Sequence, residues 1–406
     1  MSRNRLPLLV FGLLLTACSD AFTTQTFSTA TPGPMGPQPP DIGQDVKFWE
    51  DNAAVYWNGV ARALVAKTNS NAFQAIRGYA IVSVAQYNAA IAAEKTKDRA
   101  VHPSIRAAIG SASVVALSHL YPGEAQSLES LLDAFLAAES SPESPNQDPV
   151  TGESIGREVA SVVVERAKTD RFFDPWTGTI PTGPGYWYSA TPPTGAGFGL
   201  AKTYFLLSGD QFRPAPPPAF GSPAFNAAVA EVRQFSDTRT PAQEASAKFW
   251  NLPPGTYTPS GYWNDEASTL AVKYHLNERK TAHLMALMNM VSFDAIVASH
   301  EAKYFYWLLR PSQADAAITL PIGLPNFPSY PSNHAAISAG MARVLGATFP
   351  AEKARLDALA LDAALSRVLG GIHYRFDGDA GVQLGRRVAA WALELDAKGH
   401  RPFTLQ

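Results

Sequence analysis

Residues 277–309 read NERKTAHLMALMNMVSFDAIVASHEAKYFYWLL, a stretch without proline or glycine. Its large apolar side chains are so dense that a helix of this sequence keeps almost no polar face; they include Leu284, Met285, Leu287, Met288, Met290, Val291, Phe293, Ile296 and Val297. A helix that is apolar nearly all round is buried at the centre of a bundle. Pro311 ends it, because proline cannot continue a helix. The stretch therefore predicts the central helix of an all-α fold.

The rest of the chain has the spacing of further helices around this one. Apolar residues recur every three or four positions near 46–67, 71–93, 103–120, 123–139, 152–171, 224–236, 241–250, 264–275, 333–348, 351–369 and 379–397. No segment alternates for long enough to predict a large sheet. Residues 172–223 are rich in proline, glycine and large aromatics, which predicts an ordered loop packed over the helices.

Composition excludes several classes of protein. The chain has 406 residues, of which 46% are hydrophobic, so it can bury a large core and is not globally disordered. Its 33 basic and 35 acidic residues nearly cancel and form no basic stripe, which argues against a nucleic-acid partner. A single cysteine excludes an internal disulfide and a multi-thiolate metal site.

The amino terminus predicts export and lipid anchoring. Arg3 and Arg5 precede the apolar run 6–15, which is typical of a signal peptide over residues 1–17. The following Leu-Thr-Ala-Cys resembles a bacterial lipobox, with Cys18 as the lipidated first residue of the mature protein; an incidental cysteine is the alternative. We expect a flexible tether over 18–44 and a location in the bacterial cell envelope, on the periplasmic or extracellular face. The remaining regions are an N-terminal helical region (45–171), the loop (172–223) and a C-terminal bundle (224–406).

Lys303 and Arg310 are the first candidate site residues. They are seven positions apart, so at about 100 degrees per residue they share one helix face, two turns apart. Burying two cations on one face without acids costs free energy. Either they are snorkelling surface side chains or a tetrahedral oxyanion lies between them.

Two later segments point to the same kind of ligand. Residues 327–334, FPSYPSNH, lead into a helix whose free N–H groups favour an anion, and His334 there can move a proton. Residues 366–377, SRVLGGIHYRFD, contain a double glycine that could turn His373 toward Arg367, while Asp377 could accept from one ring nitrogen of His373. Alone, the first segment is a weak signal, because such helix caps are common, and the second would favour an ordinary cap with a surface ion pair.

Together the three segments, Lys-x6-Arg-Pro, Pro-Ser-x-His and Ser-Arg-x5-His-x3-Asp, resemble the vanadium-dependent haloperoxidases and the type 2 phosphatidic acid phosphatases. The resemblance implies a helical fold with one oxyanion site and long loops rich in proline, glycine and aromatics. It also implies six residues that hold the oxyanion: Lys303, Arg310, Ser332, Asn333, Arg367 and His373.

The resemblance further assigns chemical roles. His334 is the acid/base, His373 bonds the vanadium of a vanadate cofactor, and Asp377 orients His373. Lys303 polarises the reacting oxygen. His300 and Phe327 are candidates for a halide pocket, although His300 could equally be a core histidine.

Two activities follow from one such site. The first expectation is a haloperoxidase with vanadate as cofactor, acting on hydrogen peroxide, halide and a small organic substrate. The alternative is a phosphatase of phosphate monoesters that acts through a phosphohistidine and needs no vanadate. Asn333, which replaces the usual glycine and would crowd the ligand, and the short segment between His334 and Ser366 favour the alternative. A third class is a tethered envelope protein that keeps the anion site only structurally.

Overall fold

The computed structural model describes residues 52–96, 102–139 and 147–400. The predicted signal peptide, Cys18 and the tether lie outside these residues and stay predictions. The described residues form thirteen α-helices, which confirms the all-α fold, and the strands among them are limited to one two-residue parallel pair.

The first half of the described chain holds five helices and the strand pair. They are α1 (Ala53–Lys67), α2 (Ala72–Lys95), β1 (His102–Pro103), α3 (Ile105–Leu120), α4 (Ala125–Glu139), β2 (Gln147–Asp148) and α5 (Pro149–Lys168). After the long loop come α6 (Pro223–Thr238), α7 (Pro241–Phe249), α8 (Thr258–Lys273), α9 (Glu278–Tyr306), α10 (Pro311–Ala314), α11 (Asn333–Thr348), α12 (Lys353–Leu369) and α13 (Arg375–Ala397).

Helix α9 is the central helix that its sequence predicts. It packs against α2, α8, α11 and α13. Its length and apolarity would suffice to cross a membrane, but 94% of its most apolar 18-residue window is buried inside the protein. The side chain of Asn277 caps its first turn by accepting from the Lys280 N–H at 2.9 Å. The helix therefore serves as the core of the bundle.

The end of α9 differs from the prediction. The helix stops at Tyr306, where Trp307 takes a left-handed conformation (φ 53°). The next residues pair with other segments: the Trp187 N–H donates to the Trp307 carbonyl at 2.7 Å, and the Ser329 N–H donates to the Leu308 carbonyl at 2.8 Å. Arg310 is consequently not on α9, and the expectation that it shares a helix face with Lys303 is wrong.

Close packing of α13 against α11 sets the position of the first residues of α11. A Cβ atom on Gly381 would lie 2.5 Å from the Ser332 carbonyl oxygen, so only glycine fits there. Helix α13 begins at Arg375, four residues earlier than predicted, and so includes Asp377 in its first turn. This packing places Ser332 and Asp377 side by side, and the Ser332 N–H donates to the Asp377 carbonyl at 2.9 Å.

The proline-rich loop packs on α9, as predicted. Phe172 is fully buried and stacks on Phe198 with ring centroids 4.2 Å apart. Asp294, buried in the middle of α9, accepts the backbone N–H groups of Tyr204, Phe205 and Leu206 at 2.8, 2.7 and 3.0 Å. Burial raises the pKa of Asp294 to about 6, while these three bonds oppose the rise. One carboxylate thus anchors the loop to the core.

Replacing Asp294 by asparagine tests this anchor. The asparagine side chain has one oxygen instead of two, and its NH2 group would face the backbone N–H groups of the loop. At least one of these buried N–H groups therefore loses its acceptor. We expect the free energy of unfolding, measured with urea, to fall by about 2 kcal/mol. Asp237→Asn, which changes an exposed carboxylate, should stay within about 0.5 kcal/mol of the parent. An Asp294→Asn protein as stable as the parent would contradict the anchor.

Candidate functional site

Three buried cations form the site. Lys303 lies in the last turn of α9, Arg310 follows that helix, and Arg367 lies in the last turn of α12; all three are 0% exposed. Burial lowers the pKa of Arg310 to about 10 and that of Arg367 to about 9, and it lowers the pKa of Lys303 well below its ordinary value. Such burial is costly unless an anion compensates it.

Each arginine keeps one nitrogen without a hydrogen-bond partner. Arg310 donates from Nε to the Phe327 carbonyl at 3.0 Å and from Nη1 to the Ile372 carbonyl at 2.7 Å, but Nη2 has no acceptor. Arg367 donates from Nε to Ser366 Oγ at 3.0 Å and from Nη2 to the Ala247 carbonyl at 2.6 Å, but Nη1 has none. Buried donors of this kind require an acceptor, and an oxyanion supplies several.

Lys303 is held differently. Its ammonium donates to the carbonyls of Pro328 (3.1 Å), Ser329 (2.7 Å) and Pro331. An ammonium has three donors, so all of them are occupied. Lys303 thus orders the segment before α11 and contributes its charge to the site, and its predicted contact with the oxyanion stays a prediction. The Phe327 ring lies 5.2 Å from Lys303 Nζ and 5.0 Å from Arg310 Cζ, and so packs on both cations.

The contacts of His373 fix its tautomer. Arg310 Nη1 lies 3.1 Å from Nε2, and a guanidinium only donates, so Nε2 is the acceptor. Nδ1 therefore carries the hydrogen and donates to Asp377 Oδ2 at 2.8 Å. Ser329 Oγ donates to the same oxygen at 2.5 Å. Burial and then Arg310 lower the pKa of His373 well below its ordinary value, so the ring is neutral with Nε2 as its basic atom.

The turn before His373 is the one that the double glycine predicts. Gly371 has φ +74°, a left-handed conformation that glycine adopts at no steric cost. It reverses the chain at the end of α12, and the expected bond from His373 to Asp377 forms.

His334 has the opposite tautomer. Its Nε2 lies 3.1 Å from the Trp250 carbonyl, which only accepts, so Nε2 carries the hydrogen and Nδ1 keeps its lone pair. As a whole residue His334 is partly exposed, whereas Lys303, Arg310, Arg367 and His373 are buried. Burial and the cations Arg367, Arg310 and Lys303 lower its pKa well below the ordinary value. Because all three cations act on both histidines, the site is one electrostatic unit.

The start of α11 is built as predicted. Ser332 is its N-cap, and its Oγ accepts from the Ala335 N–H at 3.4 Å, so the hydroxyl can still donate to a ligand. Ser332 and Asn333 are buried beside the cations.

The Asn333 side chain lies against α9. Its Oδ1 accepts from Ser299 Oγ at 2.6 Å, and its Nδ2 donates to His300 Nε2 at 3.1 Å. The side chain is therefore held by two residues of α9, and the expectation that Asn333 crowds the ligand stays a prediction. His300 Nδ1 in turn donates to the Gly195 carbonyl at 3.0 Å. With both nitrogens bonded and its pKa lowered by burial to about 3, His300 has the environment of a core histidine rather than that of a halide ligand.

Sequence reasoning missed the contributions of α7. The Ala247 and Trp250 carbonyls orient Arg367 and His334, and the Trp250 indole N–H donates to Asp362 Oδ2 at 2.7 Å. Backbone acceptors carry no residue signature, so no motif could have revealed them. Among the described residues, no three His, Cys, Asp or Glu side chains form a group that could hold a bare metal ion. The fold and the site are of the class expected for a protein that binds an oxyanion.

Comparisons with known proteins agree with this class. The family model of the PAP2 superfamily matches residues 283–400. A bacterial vanadium-dependent iodoperoxidase has a similar structure, with a TM-score of 0.71 and 21% identity over 84% of this chain and 95% of that one. Two structures of bacterial vanadium-dependent chloroperoxidase, holo-type and apo-type, give TM-scores of 0.66 and 0.65 at 14% and 15% identity, over 89% and 81% of this chain and 100% and 94% of theirs. No curated protein sequence matches the chain.

The region that carries all three motifs thus matches the PAP2 superfamily, and the fold is that of the vanadium haloperoxidase structures, which supports the resemblance that the motifs predict. At these identities the structural likeness shows the fold, and the superfamily is one of enzymes.

Anion binding should stabilise the protein measurably. Inorganic vanadate or phosphate supplies the missing acceptors and reduces repulsion among three buried cations, so at roughly 100 times its dissociation constant it should add about 3 kcal/mol to the free energy of unfolding. Thermal unfolding with and without the anion measures this, with sodium chloride at equal ionic strength as control. Arg367→Ala should lose most of the effect. Equal unfolding temperatures for the parent protein with either salt would contradict an anion site.

Proposed function

We propose that the protein is a vanadate-dependent haloperoxidase, which uses hydrogen peroxide to oxidise halide to hypohalous acid for the halogenation of a small organic substrate. The observation that carries the proposal is the state of His334. Its imidazole is neutral and its Nδ1 carries no hydrogen. His334 is also a partly exposed residue beside buried cations. A neutral base in that position suits the removal of a proton from hydrogen peroxide.

The residues present fit vanadate. Arg310 Nη2 and Arg367 Nη1 are buried donors without partners. The Ser332 hydroxyl and the Asn333 backbone N–H would add hydrogen bonds, Lys303 would add charge, and His373 Nε2 is the basic atom that would bond the vanadium. When bound, vanadate would supply the site that coordinates hydrogen peroxide and passes its oxygen to halide.

The protein's own groups prepare that site. Asp377 keeps the hydrogen of His373 on Nδ1, so Nε2 stays available for a bond. A ligand at Nε2 would displace Arg310 Nη1, which retains its hydrogen bond to the Ile372 carbonyl. The three cations hold negative charge, and their fixed positions avoid reorganisation during the reaction. His334 Nδ1 can take up and return one proton while Nε2 stays bonded to the Trp250 carbonyl.

Burial also supports small reactants. Lys303, Arg310 and Arg367 are 0% exposed and His373 is 2% exposed. A resident inorganic anion, peroxide and halide need far less access to these groups than a bulky phosphate ester does.

A phosphatase is the second candidate, favoured by the same His373. Its unprotonated Nε2, backed by Asp377, could attack phosphorus, forming an N–P bond while the P–O bond to the alcohol breaks. His334 would first have to be protonated so that it can give the leaving alcohol its proton, and the neutral ring would then activate water for hydrolysis of the phosphohistidine. Protonation of Nδ1 in this reaction requires the bound phosphate to offset the effects of burial and of the cations that lower the pKa of His334.

Two assays separate the candidates. Purified protein with vanadate, hydrogen peroxide and chloride, bromide or iodide should halogenate a dissolved organic acceptor, and the rate should depend on vanadate. The same protein with an aryl phosphate and no vanadate should release little phosphate. Phosphate release without halogenation would reject the haloperoxidase in favour of the phosphatase, and neither activity would favour a purely structural anion site.

Substitution of His373 tests the role of its Nε2. His373→Ala should lower the activity found by at least about 100-fold, because the residue bonds the reacting centre in either reaction. His283→Ala is the matched control, since His283 also pairs with an aspartate, Asp396, at 2.8 Å but lies outside the site. We expect the control to retain its rate. An unaffected His373→Ala enzyme would refute the assignment.

A further inference from the structure

The segment that ends α7 contacts two site residues from outside the PAP2-matching region 283–400. The Ala247 carbonyl accepts from Arg367 Nη2 at 2.6 Å, and the Trp250 carbonyl accepts from His334 Nε2 at 3.1 Å. Residues 247–250 therefore supply one acceptor to Arg367 and another to His334, the histidine that we assign as the base.

Trp250 is itself fixed by two kinds of contact. Its indole N–H donates to Asp362 Oδ2 on α12 at 2.7 Å, and its side chain is 0% exposed. Its ring packs edge-on against Tyr262, with centroids 4.9 Å apart, and stacks on Trp263 at 6.4 Å. The backbone of Trp250 therefore has little freedom to move relative to α12.

The position of the Trp250 carbonyl decides which nitrogen of His334 is bare. A neutral imidazole has one hydrogen, and an acceptor next to Nε2 keeps the hydrogen there. If the carbonyl moved away, the two tautomers would become closer in free energy, and part of the population would carry the hydrogen on Nδ1. That form cannot accept a proton at Nδ1.

We propose that Trp250 and Asp362 are positioning residues for His334: their side-chain hydrogen bond holds the Trp250 carbonyl where it keeps His334 in the Nε2–H tautomer. This inference rests on the proposed acid/base role of His334. On this proposal, a residue at the end of α7 and a residue of α12 orient the base, although neither belongs to the three sequence motifs.

The variants remove the bond from either side. Trp250→Phe removes the indole N–H, and Asp362→Ala removes its acceptor. Each should lower kcat by about 10-fold to 100-fold, with KM within about 2-fold, because a misoriented base slows the reaction without changing the binding cations. Asp362→Asn keeps an oxygen acceptor and should rescue most of the rate lost in Asp362→Ala. The Trp250→Phe/Asp362→Ala double variant should lose no more than either single variant.

Trp57→Phe is the matched control for lost packing. Trp57 is as fully buried as Trp250, and its ring contacts Tyr56 on α1 and Phe135 on α4, which the site does not use. This variant should keep the parent rate. If Trp57→Phe and Trp250→Phe lost equal activity, the effect would come from packing and the proposal would be overturned.

A second measurement does not depend on activity. In protein labelled with ¹⁵N at histidine, the ring nitrogens of His334, assigned with a His334→Gln variant, report the tautomer directly. We expect Nε2–H in the parent, in Trp57→Phe and in Asp362→Asn, and a mixture in Trp250→Phe and Asp362→Ala. A parent enzyme without halogenation or phosphatase activity would reject the proposed function, whereas an unchanged tautomer in Trp250→Phe would reject the positioning role.

Discussion

The constraint on which the rest of the structure depends is the burial of Lys303, Arg310 and Arg367 in one place. Cations removed from water need compensation, and in this protein much of it comes from backbone carbonyls. The carbonyls before α11 surround Lys303, and those of Phe327, Ile372 and Ala247 surround the two arginines. Carbonyl dipoles hold the side chains in place but do not neutralise them, so a net positive charge remains for a ligand.

The histidines near this charge are specified by their neighbours. Arg310 and Asp377 make His373 a neutral ring with a basic Nε2, and Trp250 makes His334 a neutral ring with a basic Nδ1. Asn333 and Gly195 occupy both ring nitrogens of His300 with hydrogen bonds. Three histidines with the same intrinsic pKa thus differ in which ring nitrogen carries the hydrogen and which accepts, because each is bonded to a different combination of donors and acceptors.

The helices were largely predictable because their cause is local. Apolar spacing, prolines and capping residues lie within a few positions of the ends that they set, as Asn277 and Ser332 do for α9 and α11. The prediction failed where backbone pairing with distant segments overrode the local pattern. Trp307 and Leu308 bond to Trp187 and Ser329, so α9 ends at Tyr306 although the sequence remains apolar to Leu309.

The sequence by itself determined the all-α fold, the central helix, and the cations and histidines of the site, because these follow from side-chain chemistry and spacing along the chain. Only the tertiary structure decided how those groups are oriented: which arginine nitrogens remain free, which ring nitrogens are bare, where the Asn333 side chain lies, and that α7 completes the site. The reason is that these properties depend on backbone carbonyls and close helix packing. Every residue offers the same backbone carbonyl. The contribution of a particular carbonyl depends on its position in the fold and cannot be read from residue type.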